Sequence, residues 1–491
     1  MSTYPPMARY GSKVVCTLND PLLRRLQRLI HRFFGRLNQT SHNSDSRGAE
    51  QANVPPRLAD LPPRFWVLVL LTGVGAGIGA MVMMGVLRTV QHIAFDYHSG
   101  EFSNAVAAHS ALRLVVVLAI GGMVTGLGLW ALRRFTGSTG GEPTEVVWSR
   151  TGNLSLIRTL ATGVLSEITV AMGGSIGREA APQRTGAATG SFLARRFSLP
   201  PEQRSLLIAC GAGAGLGAVY NVPLAGALFA LEIYLGTMSL PLVLPALLTS
   251  GIAVVVSWIT LPAHTVYFVP KLANPTTSLI VFAIVIGPVM GLASAGYVKI
   301  ITWASDHRPK GRLLFIQPVL VFTALGFVAI SYPLLLGNGV DLAQYAFTGS
   351  ASAGLLVLLA LAALKPVATA ACLRSGASGG LFTPTMSFGA IFGALIGHLW
   401  LLMWPGPSVA AFAVIGAAAL LAGAIEAPLT GIAMTIELTR TIAITAPILI
   451  AAVGATLISR RFDLRSIYSA RLSPQPPDPP PSSPPPQAPP E

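Results

Sequence analysis

The sequence predicts an all-α polytopic membrane protein built from two related halves. Three observations carry that expectation. Of 491 residues, 52% are hydrophobic and only 11% are charged, well below the roughly 25% charged content of soluble domains. Apolar stretches long enough to cross a bilayer recur from about residue 64 to 460, over 66–89, 112–132, 204–235, 237–262, 277–303, 313–336, 352–372, 385–404 and 408–436. The chain also repeats itself. Shifted by 205 positions, Gly211, Ala212, Ala214, Pro223, Leu224, Gly226 and Glu232 fall on Gly416, Ala417, Ala419, Pro428, Leu429, Gly431 and Glu437. Paired broken apolar segments in two halves point to a duplicated membrane fold with its site at the midplane between repeats.

Residues 1–63 form a basic N-terminal region. Within it, Asp20 to Phe34 alternates apolar and basic side chains at helical spacing, with Asp20 placed to cap and Pro21 at the first helical position. An amphipathic helix over 21–36 that lies on a membrane surface is expected. The membrane domain follows over 64–472, in halves of about 64–262 and 277–472. Two long helices open it around the polar connection 92–111, and the Gly-rich break Gly137-Ser138-Thr139-Gly140-Gly141-Glu142-Pro143 comes next. After shorter apolar pieces the chain reaches Gly173-Gly174-Ser175-Ile176-Gly177-Arg178-Glu179-Ala180-Ala181-Pro182. Its counterpart in the second half is Gly379-Gly380-Leu381-Phe382-Thr383-Pro384, about 202 residues later. The tail 473–491 holds eleven prolines and is expected to be disordered or polyproline II.

Charge placement limits the partners. The net charge is +14, with nine Lys or Arg before residue 64 and Arg460, Arg461, Arg465 and Arg471 after the last apolar run. By the positive-inside rule both termini face the cytoplasm and the number of crossings is even. Acidic lipid headgroups suffice as the partner for these charges, and nucleic acid is not expected. Three cysteines, Cys16, Cys210 and Cys372, and eight scattered histidines give neither a disulfide framework nor metal-ligand spacing. With no metal or nucleophile constellation, an enzyme is not expected.

Glu179 is the residue around which the chain is organised. Its neighbours read as a helix starting at or just after it, and a helix start offers free N–H donors and partial positive charge that favour an anion. The occupant is either a dissolved ion or the tethered carboxylate itself, and a site that holds one at a time is a gate. At an exposed surface such a carboxylate is worth only about 0.3–1 kcal/mol. Inside a membrane domain an ionisable side chain is costly and marks function.

Taken together, Gly177-Arg178-Glu179, Gly380-Leu381-Phe382-Thr383-Pro384 and Ile467-Tyr468-Ser469-Ala470 resemble the CLC family of chloride channels and proton/chloride exchangers, of the bacterial type without regulatory CBS domains. The resemblance covers about residues 65–472. It implies two inverted-topology repeats with broken helices meeting at a midplane anion site, in a homodimer with one pathway per subunit. By the same resemblance Glu179 is the gate and proton acceptor. The central anion lies at the Leu381 and Phe382 amides and the Tyr468 hydroxyl, and an outer anion lies near Arg178 to Ala181, Ala180 included. The family's first motif falls on Gly140 and Gly141. No cofactor is implied beyond bound chloride ions.

Three departures from the family pattern stand out. The position that usually supplies a serine hydroxyl is Gly140, and Glu142 puts a negative charge where the family has an apolar residue, which weakens anion binding if it is ionised and nearby. The proline after Glu179 comes one place late. The inner glutamate of proton exchangers, one residue after Glu232, is Ile233. The expected function is chloride/proton exchange gated by Glu179 in a bacterial inner membrane. A passive gated chloride channel and a fluoride/proton exchanger are the alternatives.

Overall fold

The computed structural model describes residues 61–136, 142–149, 154–348, 350–462 and 466–469. The N-terminal region with its expected helix over 21–36 and the Pro-rich tail lie outside the described residues, as do Gly140 and Gly141.

Helices make up most of the described chain. In the first half they are α1 (Pro63–Phe95), α2 (Phe102–Ala107), α3 (Ala111–Thr136), α4 (Pro143–Trp148), α5 (Leu156–Ala171), α6 (Ala180–Arg196), α7 (Pro201–Tyr220), α8 (Pro223–Phe229) and α9 (Leu240–Ser257). The second half contributes α10 (Thr277–Asp306), α11 (Leu313–Ser331), α12 (Val340–Thr348), α13 (Leu355–Arg374), α14 (Phe382–Met403), α15 (Val409–Ile425), α16 (Pro428–Thr439) and α17 (Thr445–Phe462). Eight described helices are long and apolar enough to cross a membrane. At 33 residues α1 reaches about 50 Å, more than the roughly 30 Å hydrocarbon core, which such a helix spans by tilting.

The apolar runs 204–235 and 408–436 are broken at equivalent places, as the paired broken segments of the repeat predict. After α7, Asn221 turns left-handed (φ 56°) and Pro223 opens α8. After α15, Glu426 turns left-handed (φ 55°) and Pro428 opens α16. Proline explains both breaks: it lacks the N–H a continuing helix needs and drives the preceding residue out of the helical region. Val222 (φ −130°, ψ 72°) and Ala427 (φ −128°, ψ 79°) both lie outside the helical region.

The halves also pack alike. Helix α6 lies on α7, α14 lies on α15, and α8 meets α16 across the middle of the molecule. A Cβ on Gly186 would run into the Gly211 carbonyl, and one on Gly389 would run into that of Gly416. These four glycines let two pairs of helix backbones touch, the close approach that small residues provide in membranes. Most of α6 and α7 and all of α15 are buried, whereas α11 and α3 present rows of exposed apolar side chains suited to lipid.

Candidate anion site

The two Gly-rich motifs are joined to each other. Gly177 and Gly380 exchange reciprocal backbone hydrogen bonds, each N–H donating to the other's carbonyl at 2.7 Å. The chain reaches this bridge by reversing after α5, where Gly173 takes φ +97°, a conformation that an L side chain resists. Lys365, fully buried on α13, fixes the same segment: its ammonium donates to the Ser175 hydroxyl (2.8 Å) and to the Leu335 and Gly337 carbonyls (both 3.3 Å).

Glu179 stands at the N-cap position of α6, where its sequence context predicts a helix start, but its side chain makes no capping bond there. Its side chain is fully buried and crosses to the other motif. Oε1 accepts from the Phe382 amide at 2.6 Å, while Oε2 accepts from the Thr383 hydroxyl at 3.1 Å and the Tyr220 hydroxyl at 3.2 Å. The Tyr220 and Thr383 hydroxyls are themselves 2.5 Å apart. One carboxylate thus takes donors from a helix start, a threonine and a tyrosine. A Cβ on either Gly177 or Gly380 would collide with it, so glycine at both places is what lets the carboxylate lie so close to the backbone.

The other predicted residues surround this centre. Arg178 carries its guanidinium 5.2 Å from the Tyr220 ring centroid, consistent with a role in the local field. Leu381 is buried and its carbonyl accepts from the Thr385 amide at 3.1 Å; of the two predicted amides, Phe382's is the one on Glu179. Ala180 and Tyr468 are buried, and the Tyr468 ring stands edge-on to Phe229 with centroids 5.5 Å apart. Ala180 and Tyr468 line one cavity together with Gly380, Gln183, Arg184, Tyr234 and Glu142. Glu142 is therefore near the expected anion position, and it is paired: Arg184 donates to its Oε1 at 2.6 Å.

Several residues of the site were not singled out for it from the sequence. Thr383 sits inside the second motif, and Tyr220 directly precedes the Asn221-Val222-Pro223 break. Arg184 and Lys365 had a usable signal, since a charge inside an apolar or Gly/Ala-rich membrane helix is a functional candidate by default. Glu167, fully buried on α5, belongs with them. The terminal glutamates of the repeat have a structural task. Glu232 accepts from the Leu429 amide (3.2 Å) and from the Thr430 amide and hydroxyl (both 2.6 Å). Glu437 accepts from the Leu224 (3.2 Å) and Ala225 (2.7 Å) amides. Each half thereby caps the broken helix of the other. Ile233, beside Glu232, is buried.

The fold has known counterparts. Residues 121–460 match the family described as voltage gated chloride channel. The voltage-gated ClC-type chloride channel ClcB of Salmonella typhi is 29% identical over 415 residues, covering 82% of this chain and 98% of that protein. Among solved structures, a slow cyanobacterial Cl−/H+ antiporter superposes with a TM-score of 0.73 at 23% identity, over 83% of this chain and 97% of that one. A CLC-type fluoride/proton antiporter superposes with a TM-score of 0.68 at 22% identity, over 85% of this chain and 99% of that one. With the matched region spanning most of its membrane domain, this multi-pass membrane protein belongs to the CLC family of voltage-gated chloride channels.

Proposed function

We propose that this chain exchanges chloride for protons across the membrane, with Glu179 as gate and proton acceptor. The observation that carries the reading is the donor set on its carboxylate: the Phe382 amide, the Thr383 hydroxyl and the Tyr220 hydroxyl. Helix-start amides and hydroxyls hold a dehydrated halide by the same hydrogen bonds they give a carboxylate. The two occupants exclude one another. Protonating Glu179 removes its charge, weakens its hold on the donors and frees them for chloride. Loss of the proton returns the carboxylate and expels the ion. Tyr468 and the backbone at Ala180 and Leu381 continue the path on either side, and Gly140 and Gly141 belong to its first motif. Chloride and protons are the transported partners, and no cofactor beyond bound chloride enters the cycle.

The antiporter fold of the two solved relatives supports exchange. A passive gated channel has one observation in its favour: the apolar Ile233 stands where an inner proton carrier is expected, and neighbouring Glu232 is held by the start of α16. We further read the chain as a homodimer with one pathway per subunit in a bacterial inner membrane, both termini cytoplasmic. Exposed apolar rows on α9 (Leu247, Leu248, Val255) and α17 (Leu449, Ile450, Val453) suit a two-fold contact.

The test is chloride efflux from liposomes holding the purified protein, with external pH recorded and no protonophore. Exchange predicts uphill proton movement driven by the chloride gradient. Glu179→Gln should keep anion flux and abolish proton movement. Chloride leaving only when a potassium ionophore balances charge, at constant pH, would establish the channel instead. Anion and proton flux both unchanged in Glu179→Gln would remove the residue from the gate.

A further inference from the structure

Helix α5 carries buried polar groups that the Glu179 gate does not use. Glu167 is fully buried, and neither of its carboxyl oxygens has a hydrogen-bond partner among the described residues. The same holds for the buried hydroxyls of Thr159 and Ser166. Their neighbours on the helix behave differently. Thr162 donates to the Arg158 carbonyl at 2.9 Å and Thr169 to the Leu165 carbonyl at 2.7 Å, the bond a hydroxyl inside a helix ordinarily makes. Thr159, Ser166 and Glu167 fall within about 100° of one another around the axis and span about 12 Å along it. They form a stripe of unpartnered polar groups on one face.

The stripe leads to the gate. The Leu154 amide donates to the Ser191 hydroxyl at 3.1 Å, and a Cβ on Gly163 would meet that of Ala181 at 3.4 Å, so α5 and α6 run antiparallel. Continued by one turn, that pairing sets Glu167 level with Gly177 to Glu179, the segment that opens α6. Helix α3 is antiparallel to α5 as well, with Gly121 against Met172 and Gly128 against Leu165. Arg158 near the start of α5 therefore shares one end of the group with Arg133 and Arg134 of α3 and Arg195 and Arg196 of α6. By the positive-inside rule that end is cytoplasmic.

We propose, on the reading of the chain as a chloride/proton exchanger, that Glu167 is a second proton carrier, fed from the cytoplasm along water held by Thr159 and Ser166. Its carboxylate takes a proton from the water beside it and becomes a neutral acid. It then gives that proton, through one further water, to the Glu179 carboxylate, is left ionised, and is recharged from the cytoplasmic end. Ile233 has no group that can carry a proton, so the route runs along α5 instead. A purely structural acid would account for the burial of Glu167. It would not account for two hydroxyls on the same face that forgo the bond their neighbours make. Buried polar groups without protein partners are held by water, and ionisable side chains within membranes form proton relays.

The ratio of protons to chloride in liposome efflux from the purified full chain tests this. In Glu167→Gln the gate gains and loses its proton from the opposite side of the membrane alone. Chloride should still cross, the melting temperature should hold, and the ratio should fall about tenfold or more. Glu167→Asp, which restores an acid, should recover most of it. Thr159→Val combined with Ser166→Ala removes the water-holding hydroxyls and should lower the ratio several-fold, which keeps the proposal testable if Glu167 variants fail to fold. An unchanged ratio in Glu167→Gln, or in the double hydroxyl variant, overturns the proposal. So does joint loss of chloride and proton flux with a lowered melting temperature, which would make Glu167 structural. The two levels separate in the unsubstituted protein: no uphill proton movement there defeats the exchange reading itself. Glu179-dependent exchange that persists at full ratio in Glu167→Gln defeats the Glu167 route alone.

Discussion

The two halves of the molecule place the same backbone at the centre and put different chemistry on it. The bridge pairs Gly177 with Gly380, a shift of 203, and the same shift sets Glu179 against Phe382. At that position the first half contributes a carboxylate and the second contributes the amide that receives it, at 2.6 Å. Farther out, where the repeat shift is 205, the halves are alike: Glu232 and Glu437 each cap the other's broken helix. Symmetry is kept where the task is to close the fold and given up at the position proposed to gate an ion. A site built from two identical halves would have either two competing carboxylates or none.

The largest effect is expected where the asymmetry is tightest. Gly380→Ala would set a methyl group on the Glu179 carboxylate, and the surrounding backbone, tied by the Gly177 bridge, cannot retreat. The carboxylate should be forced off the Phe382 amide, giving anion flux with proton coupling lost as completely as in Glu179→Gln. Gly379→Ala is the contrast one residue earlier, because its new methyl would press on the buried Ile176 side chain, Cβ included, rather than on the Glu179 carboxylate. Coupling should survive there. The ratio of protons to chloride in liposome efflux reads both, and coupled exchange in Gly380→Ala would show that the carboxylate does not need this position.

The symmetric pair is expected to respond in stability. Hydrogen bonds to a charged group contribute about 1.5–3 kcal/mol when buried and less when partly exposed. Glu232 receives three and Glu437 two. We therefore expect Glu232→Ala to cost about 2–3 kcal/mol and Glu437→Ala about 1–2 kcal/mol, read as lowered melting temperatures in detergent. Were Glu232 instead a proton carrier, Glu232→Gln would lose proton movement at little cost in stability, which sharpens the distinction between capping and transport.

How much of this was legible in the sequence follows the same division. Hydropathy gives the helices and the 205-residue repeat gives the duplication, because both are periodic properties of the chain itself. Pro223 and Pro428 mark the two repeats as broken apolar segments, but the left-handed turns at Asn221 and Glu426 that end the preceding helices carry no such signal in the sequence. Glu179, Phe382 and Tyr468 were picked out through their motifs, and the structure joins the first two. Tyr220 and Arg184 were not, since their roles arise only where separate helices meet: Tyr220 lies 163 residues from the Thr383 hydroxyl it touches, and Arg184 lies 42 from Glu142. The reciprocal caps escaped for a related reason. The repeat marked Glu232 and Glu437 as equivalent, but only the crossing of α8 and α16 reveals that each serves the opposite half.

The smallest expected effect tests how the donors on Glu179 share their load. Oε2 lies within reach of two hydroxyls only 2.5 Å apart, which with one proton each cannot both donate to it while bonding each other, whereas Oε1 keeps the Phe382 amide in any side-chain variant. In Tyr220→Phe or Thr383→Val the surviving hydroxyl can turn fully onto the carboxylate, so each single loss should weaken its hold by only about 1 kcal/mol. That corresponds to about a fivefold rise in anion efflux at alkaline pH, where the carboxylate form of the gate dominates the competition. Removing both hydroxyls leaves Oε2 without a side-chain donor, and the combined effect should exceed the sum of the two, as in other coupled networks. Strict additivity would mean that the two hydroxyls act independently. The amide of Phe382 would then be the part of the second half that holds the gate, and the asymmetry between the halves would reduce to one backbone donor facing one carboxylate.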